Sequence, residues 1–290
     1  MSFGETLEGW GAQLLFRLFA ALPIGTASDL GGFIARSIGP RLAITRRARR
    51  NLQRALPELS PTDQDRVLRQ MWDNLGRVVA EYPHLPSLRV FTEGSPVEVI
   101  GRRHVFDAEK AGRPIMLVSA HFGNWEVGGV AAIQHGLKVL QLYRAANNRV
   151  VDGMMRDLRR EIGAEAAAKG PQGARRIIAA LKERRCVMLL ADQKMNDGIA
   201  VPFFGRDAMT APAVAELALR FDAQIVMARV HRLRGASFRV VCEPPLALPE
   251  SGDRQADVLA LMTAINQRYE AWIREDPGQW FWLHRRWPDS

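Results

Sequence analysis

Residues 115–126 read Ile-Met-Leu-Val-Ser-Ala-His-Phe-Gly-Asn-Trp-Glu. The apolar run from Ile115 to Ala120 has the composition of a strand buried on both faces. His121 follows where a strand-to-helix connection would expose it at the carboxyl end of a parallel sheet, the side on which such folds bind ligands. Asn124 is a good cap for the helix expected next, and Glu126 falls in its first turn. That turn is expected to bring Glu126 back toward His121. A neutral imidazole takes a proton from a hydroxyl when one nitrogen faces the substrate and a carboxylate holds the other. Taken alone, a histidine and a glutamate at this spacing read more often as a satisfied loop histidine and a capping glutamate.

Outward from this stretch, short apolar runs alternate with helical patterns. Strands are expected at Val97–Ile100, Ile115–Ala120, Val139–Tyr143, Val187–Ala191, Ile225–Val230 and Phe238–Cys242. Helices are expected at Val105–Ala111, Asn124–His135, Arg149–Ile162, Gly173–Arg184 and Pro212–Phe221, with a final one from Arg254 to Arg274. Such alternation predicts an α/β fold with a mostly parallel central sheet flanked by helices. From Pro40 to Tyr82 the apolar spacing is helical instead, with Ser60-Pro61-Thr62-Asp63 as a helix start. The expected organisation is an N-terminal helical, membrane-proximal segment over residues 1–38 and a catalytic α/β domain over 39–290.

A chain of 290 residues with 47% hydrophobic content can bury a sizeable core. Its 40 basic against 31 acidic residues leave a formal charge of +9, which favours anionic partners. Nucleic acid is not among those expected, because no helix-turn-helix, RNP-like strand, zinc spacing or basic heptad accompanies the charge. Cys186 and Cys242 make no disulfide framework, and no Cys/His spacing of zinc-site type occurs, so neither metal nor cofactor is expected. Trp10 to Ala35 is the most apolar long stretch, but Arg17, Pro23 and Asp29 interrupt it. It reads as two short amphipathic or interfacial helices broken at Pro23 and Gly25, with a soluble helical hairpin packed on the core and a solvated arginine face as the alternative. Arg41, Arg46, Arg47, Arg49, Arg50 and Arg54 follow it closely, as charges that flank an anionic membrane leaflet on its cytoplasmic side do.

His-Phe-Gly-Asn-Trp-Glu at 121–126 resembles the signature of the bacterial lipid A secondary acyltransferases, the lauroyl/myristoyl transferase family, within the glycerolipid acyltransferase group. Further blocks resemble that family in order: Tyr143-Arg144 with Asn147, Ala191-Asp192-Gln193, Pro202-Phe203-Phe204-Gly205 with Thr210, and Trp282-Leu283-His284-Arg285-Arg286-Trp287. The resemblance implies transfer of a fatty acyl chain from acyl carrier protein to the 3-hydroxyl of an acyl chain on a lipid A precursor, at the cytoplasmic face of the inner membrane. It implies His121 as general base, Glu126 as its orienting partner, and no covalent acyl-enzyme. Ser119 lacks a nucleophile-elbow context, and neither cysteine sits in a reactive-looking setting.

Arg144 is the first choice for a phosphate or acidic sugar of the acceptor, since a guanidinium fork matches such groups in two hydrogen bonds. Asn147, Asp192, Gln193, Arg159 and Lys194 complete the substrate-binding candidates, with Arg175, Arg206 and Arg286 behind them. Asp192 is read either as positioning Arg144 or a substrate hydroxyl, or as a turn residue closing its strand. Phe203, Phe204, Trp280, Phe281, Trp282 and Trp287 are read as lining an acyl channel, meeting the membrane, or filling the core, with at least half expected to do only the last. The chain departs from the family pattern in an N-terminal segment less hydrophobic than a single spanning helix, and in a tail that runs Arg286-Trp287-Pro288 where the family often has a further basic residue. Relatives that share the His–acid core leave another glycolipid or aminolipid open as acceptor, phosphatidylinositol mannoside and ornithine lipid among them. A basic nucleic-acid-binding protein is the remaining alternative from a different class.

Overall fold

The computed structural model describes residues 3–287, so Pro288 of the tail lies outside the described residues. Two helices open the chain, α1 (Phe3–Ala20) and α2 (Ile24–Ile38), parted just before Pro23 as the sequence predicts. Helices α3 (Thr45–Ala55) and α4 (Pro61–Glu81) follow. Ser60 caps α4 by accepting from the Asp63 amide at 3.2 Å, with Pro61 in the first turn where its missing N–H costs nothing. The α/β body then runs β1 (Val97–Ile100), α5 (Arg102–Lys110), β2 (Ile115–Ser119), α6 (Trp125–Gln134) and β3 (Val139–Tyr143). It continues through α7 (Arg149–Glu161), β4 (Glu165–Ala168), α8 (Pro171–Lys182), β5 (Cys186–Leu190), β6 (Lys194–Phe203) and β7 (Arg206–Thr210). Last come α9 (Ala213–Phe221), β8 (Gln224–Arg232), β9 (Phe238–Cys242) and α10 (Arg254–Glu275).

Seven strands form one sheet in the order β1-β9-β8-β2-β5-β3-β4. Every neighbouring pair is parallel except β8 and β9. The central strand β2 is buried along its whole length and serves two cores by the period of two. Met116 and Val118 pack with α10 residues such as Ile265 and Tyr269, whereas Ile115 and Leu117 pack with Val127 and Val130 of α6. Phe203, Phe204, Trp280, Trp282 and Trp287 are all buried in the first of these cores. They fill space there, and among these aromatics the half-buried Phe281 is the exception.

Strand β4 and the antiparallel hairpin β6–β7 were not expected. β4 reads Glu-Ala-Ala-Ala, which carries none of the branched or aromatic side chains that mark a strand. β6 contains Asn196, Asp197, Gly198 and Pro202, all turn markers, and its register slips between Lys194 and Ile199.

No described helix is long and apolar enough to cross a membrane. Instead α1 presents Leu7, Trp10, Leu14 and Leu18 to solvent, and α2 adds Phe33 and Ile38. Helix α2 lies against α4 at backbone distance: a Cβ on Gly31 would stand 2.5 Å from the Gly76 carbonyl oxygen, and one on Gly76 would stand 2.1 Å from that of Gly31. At the end of this contact the Glu81 carboxylate accepts from Ser28 of α2 at 2.6 Å, from Asn124 at 2.8 Å and from Arg232 of β8 at 2.9 Å. One buried carboxylate thus ties the N-terminal helices to the loop after β2.

Candidate active site

Strand register builds the site. Ser119 of β2 pairs with Leu190 of its parallel neighbour β5. Two residues beyond each lie His121 and Asp192, so strands about 4.8 Å apart deliver both side chains to the same carboxyl edge. His121 Nδ1 donates to Asp192 Oδ1 at 2.8 Å. Asp192 Oδ2 accepts from the His121 amide at 3.0 Å and from Trp280 Nε1 at 2.9 Å. The carboxylate is fully buried. Burial alone would raise its pKa, but the facing imidazoles of His121 and His284 and the hydrogen bonds from His121 outweigh it and hold it well below the usual carboxylate range. An ionised Asp192 can only accept, so Nδ1 of His121 carries the hydrogen and Nε2 presents its lone pair toward the cavity.

The loop that carries His121 depends on Gly123, whose φ is +56° and whose Cβ, if it had one, would stand 2.0 Å from the Val230 carbonyl oxygen. Asn124 caps α6 as expected, accepting from the Glu126 amide at 3.3 Å.

Glu126 does not hold His121, contrary to the expectation from their spacing. Its Oε1 accepts from Tyr82 Oη at 2.8 Å and from Arg159 Nη2 at 3.0 Å, and its Oε2 accepts from Gln141 Nε2 at 3.1 Å. The first turn of α6 points the side chain inward toward α7 and β3, where these partners converge, and Asp192 takes the place beside the imidazole. Burial, and then Glu126, push the Tyr82 hydroxyl well above the usual phenol range, so it remains a donor. Arg159 is itself buried and lies 4.8 Å from the centre of the Tyr143 ring. Its Nε and Nη1 have no protein acceptor, which leaves spare donors on a charged group.

His121, Glu126, Arg144, Arg159, Lys169 and Gln193 border one cavity of about 210 Å³. Arg144 is exposed at its mouth. Lys169, unremarked in the sequence reading, has its ammonium pKa lowered by burial and by Arg144, with Asp192 opposing. Gln193 Nε2 lies 3.2 Å from His121 Nε2 and 3.1 Å from His284 Nε2. Burial pushes the His284 ring down to about 3, with His121 adding to the effect and Asp192 opposing it. His284 too was missed as a site residue: its position in a matching tail block was the available signal, and nothing local tells where that tail returns.

The other candidates fall elsewhere. Asp192 neither positions Arg144 nor is open to a substrate hydroxyl, because its oxygens are spent on His121 and Trp280. Asn147, Lys194, Arg175 and Arg206 lie outside the cavity lining. Arg286 is fully buried under Phe203, donating to Thr210 Oγ1 at 2.8 Å, and braces the tail against β7. One ligand atom from each of His121, Asp192 and His284 lies within 4.8 Å of the others, the one group among the described residues with the makings of a metal site.

A parallel-sheet body with a carboxylate-held imidazole at its carboxyl edge is the framework of a hydroxyl-activating enzyme. The sequence model of the family described as "Bacterial lipid A biosynthesis acyltransferase" matches residues 5–289. The protein is therefore an acyltransferase, and it belongs to that family. It is 27% identical to a phosphatidylinositol mannoside acyltransferase of Mycolicibacterium smegmatis over 98% of this chain and 92% of the relative. Similarity to a lipid A biosynthesis acyltransferase of Haemophilus influenzae is 21% identity over 94% of this chain and 86% of the relative. With the lipid A biosynthesis palmitoleoyltransferase of Escherichia coli it is 25%, over 82% and 77%.

Proposed function

We propose that the protein moves a fatty acyl chain from the thioester of acyl carrier protein to the 3-hydroxyl of an acyl chain on a lipid A precursor. The observation that carries this reading is the His121 imidazole, bonded through Nδ1 to a buried carboxylate and turning Nε2 to the cavity. Nε2 takes the acceptor's hydroxyl proton as the oxygen attacks the thioester carbonyl. Asp192 supports the imidazolium so formed. The tetrahedral intermediate then expels the carrier thiolate, which recovers the proton from His121. Lys169 on the cavity wall is the group placed to meet the oxyanion, and the charged Arg159, whose Nε and Nη1 are buried without a protein acceptor at the cavity's edge, adds to the positive field there. Arg144 at the mouth binds a phosphate or acidic sugar of the acceptor. Glu126 acts indirectly, by fixing Arg159.

The reaction belongs at the cytoplasmic face of the bacterial inner membrane. The exposed Leu7, Trp10, Leu14 and Leu18 of α1 support attachment in the plane of the interface, with the arginines of α3 against anionic headgroups. A second acceptor, a sugar hydroxyl of a phosphatidylinositol mannoside-like glycolipid, is favoured by the 27% identity to an enzyme of that name over nearly the whole chain. Mass spectrometry of total glycolipids from cells lacking the protein separates the two. Loss of one secondary acyl chain from lipid A supports the first reading, and intact lipid A beside an under-acylated second glycolipid replaces it with the other. Purified protein that acylates neither acceptor from the acyl carrier protein thioester overturns the donor assignment.

A further inference from the structure

The two imidazoles beside Gln193 converge on one point. Gln193 Nε2 lies within hydrogen-bond distance of both Nε2 atoms, at 3.2 Å from His121 and 3.1 Å from His284. An amide NH₂ has two hydrogens, and here it gives one to each ring. The opposite amide orientation would present an oxygen to both rings and require N–H at both Nε2 atoms. Asp192 selects against that for His121, because a neutral ring whose Nδ1–H is bound to a carboxylate keeps a bare lone pair at Nε2. The ring centres are 4.9 Å apart and the planes are inclined at 67°, so the rings meet edge to face.

Two bare imidazole nitrogens facing one point, with a carboxylate behind one ring, offer two of the ligands that a borderline-soft divalent transition metal takes, leaving water to fill its remaining positions. We propose that His121 and His284 bind such an ion, Zn²⁺ in type, through their Nε2 atoms in place of the Gln193 amide, and that the bound ion silences the enzyme by occupying the proton-accepting lone pair. Hard cations such as Mg²⁺ and Ca²⁺ are excluded by the nitrogen ligands, since the one carboxylate in the cluster is committed to His121 and Trp280. Lys169 and Arg144 on the cavity wall repel a cation and Asp192 attracts it, which makes this a reversible site rather than a structural one. Gln193 is then the lid of the metal site. It borders the cavity, and a metal entering from there meets its amide before reaching His284. The metal site stands independently of the acyl-transfer reading, and only its inhibitory consequence rests on that reading.

Co²⁺ titrated into the full chain in detergent is the probe, read by its visible ligand-field bands, with Zn²⁺ displacing it at one ion per chain. The bands are expected in the native protein and in His231→Ala, a histidine outside the cluster, and are lost in His284→Ala. Because replacing a half-buried histidine can unfold a protein, Gln193→Ala supplies a gain that misfolding cannot imitate. Without the competing amide, Co²⁺ should bind about tenfold tighter, the order expected when hydrogen bonds worth about 1.4 kcal/mol are removed. Equal Co²⁺ affinity in native protein and His284→Ala, or no gain in Gln193→Ala, overturns the site. Transfer that continues at Zn²⁺ concentrations that fully displace Co²⁺ overturns the silencing. No substrate is present in the Co²⁺ titration, so its outcome is independent of which acceptor the enzyme uses.

Discussion

His121 and Glu126 sit five residues apart on one loop and one helix start, yet they live in different worlds. His121 faces a cavity and takes its partner from a neighbouring strand, 71 residues away. Glu126 borders the same cavity, but it is 3% exposed and its oxygens are taken by Tyr82, Gln141 and Arg159. A parallel sheet brings residues together by register, and a helix turn separates residues that the sequence sets side by side. The imidazole is therefore a proton carrier with one unprotonated nitrogen, whereas the glutamate is the counter-charge of a buried arginine.

The sharpest break of that contrast is chemical. His121→Ala should lower acyl transfer about 10³–10⁴-fold, and Asp192→Asn, which leaves the ring in place but no longer fixes its tautomer, should approach the same loss. Near-normal turnover in Asp192→Asn would return the orienting role to Glu126. Glu126→Ala should also abolish transfer, but with a loss of stability of about 3–5 kcal/mol, because Arg159 is left as an unpaired buried charge. A Glu126→Ala protein as stable as the native one in denaturant titration would mean that Arg159 finds another acceptor. Arg144→Ala sharpens the contrast from the cavity mouth: the KM for a phosphorylated acceptor should rise about tenfold while that for the acyl donor holds, as expected for one charge-assisted contact. Equal rises for both would remove its assignment.

A further effect lies in pH. The His284 ring is pushed down to about 3 in the folded chain. An unfolded histidine titrates near about 6.5, so below that pH the unfolded state binds more protons. Stability should fall as the pH drops from about 6.5 toward 3, and His284→Asn should flatten that part of the curve in denaturant titrations. An identical slope in both proteins would show that the ring is protonated in the folded state as readily as in the unfolded one.

Six of the seven strands of the sheet are legible from apolar runs: a strand buried on both faces leaves a hydrophobic word such as Ile-Met-Leu-Val at 115–118, and the outer β1 and β9 keep enough branched apolar residues to show. β4 is not, since three alanines carry no preference for a strand and are held there by pairing with β3. The position of His121 was legible for the same reason as its strand. Its partner was not: Asp192 was noticed, but assigning it to His121 requires knowing that β2 and β5 are neighbours in matching register, and no local pattern encodes adjacency. The tail shows the same limit. Its aromatics were readable as apolar mass, whereas the return that lays Phe281 N on the His121 carbonyl at 3.0 Å and brings His284 to Gln193 is a property of the closed fold.

The mutual backbone approach of Gly31 and Gly76 has a mechanical consequence. At that crossing no soft side-chain layer separates α2 from α4, and Glu81 carries the contact into the turn holding Asn124. If α1 and α2 float at an interface, the imidazole then rides at a constant height above it, like a stylus on a fixed arm. In that case acceptors would be sorted by how far their alcohol rises out of the lipid, before any pocket had tested their shape.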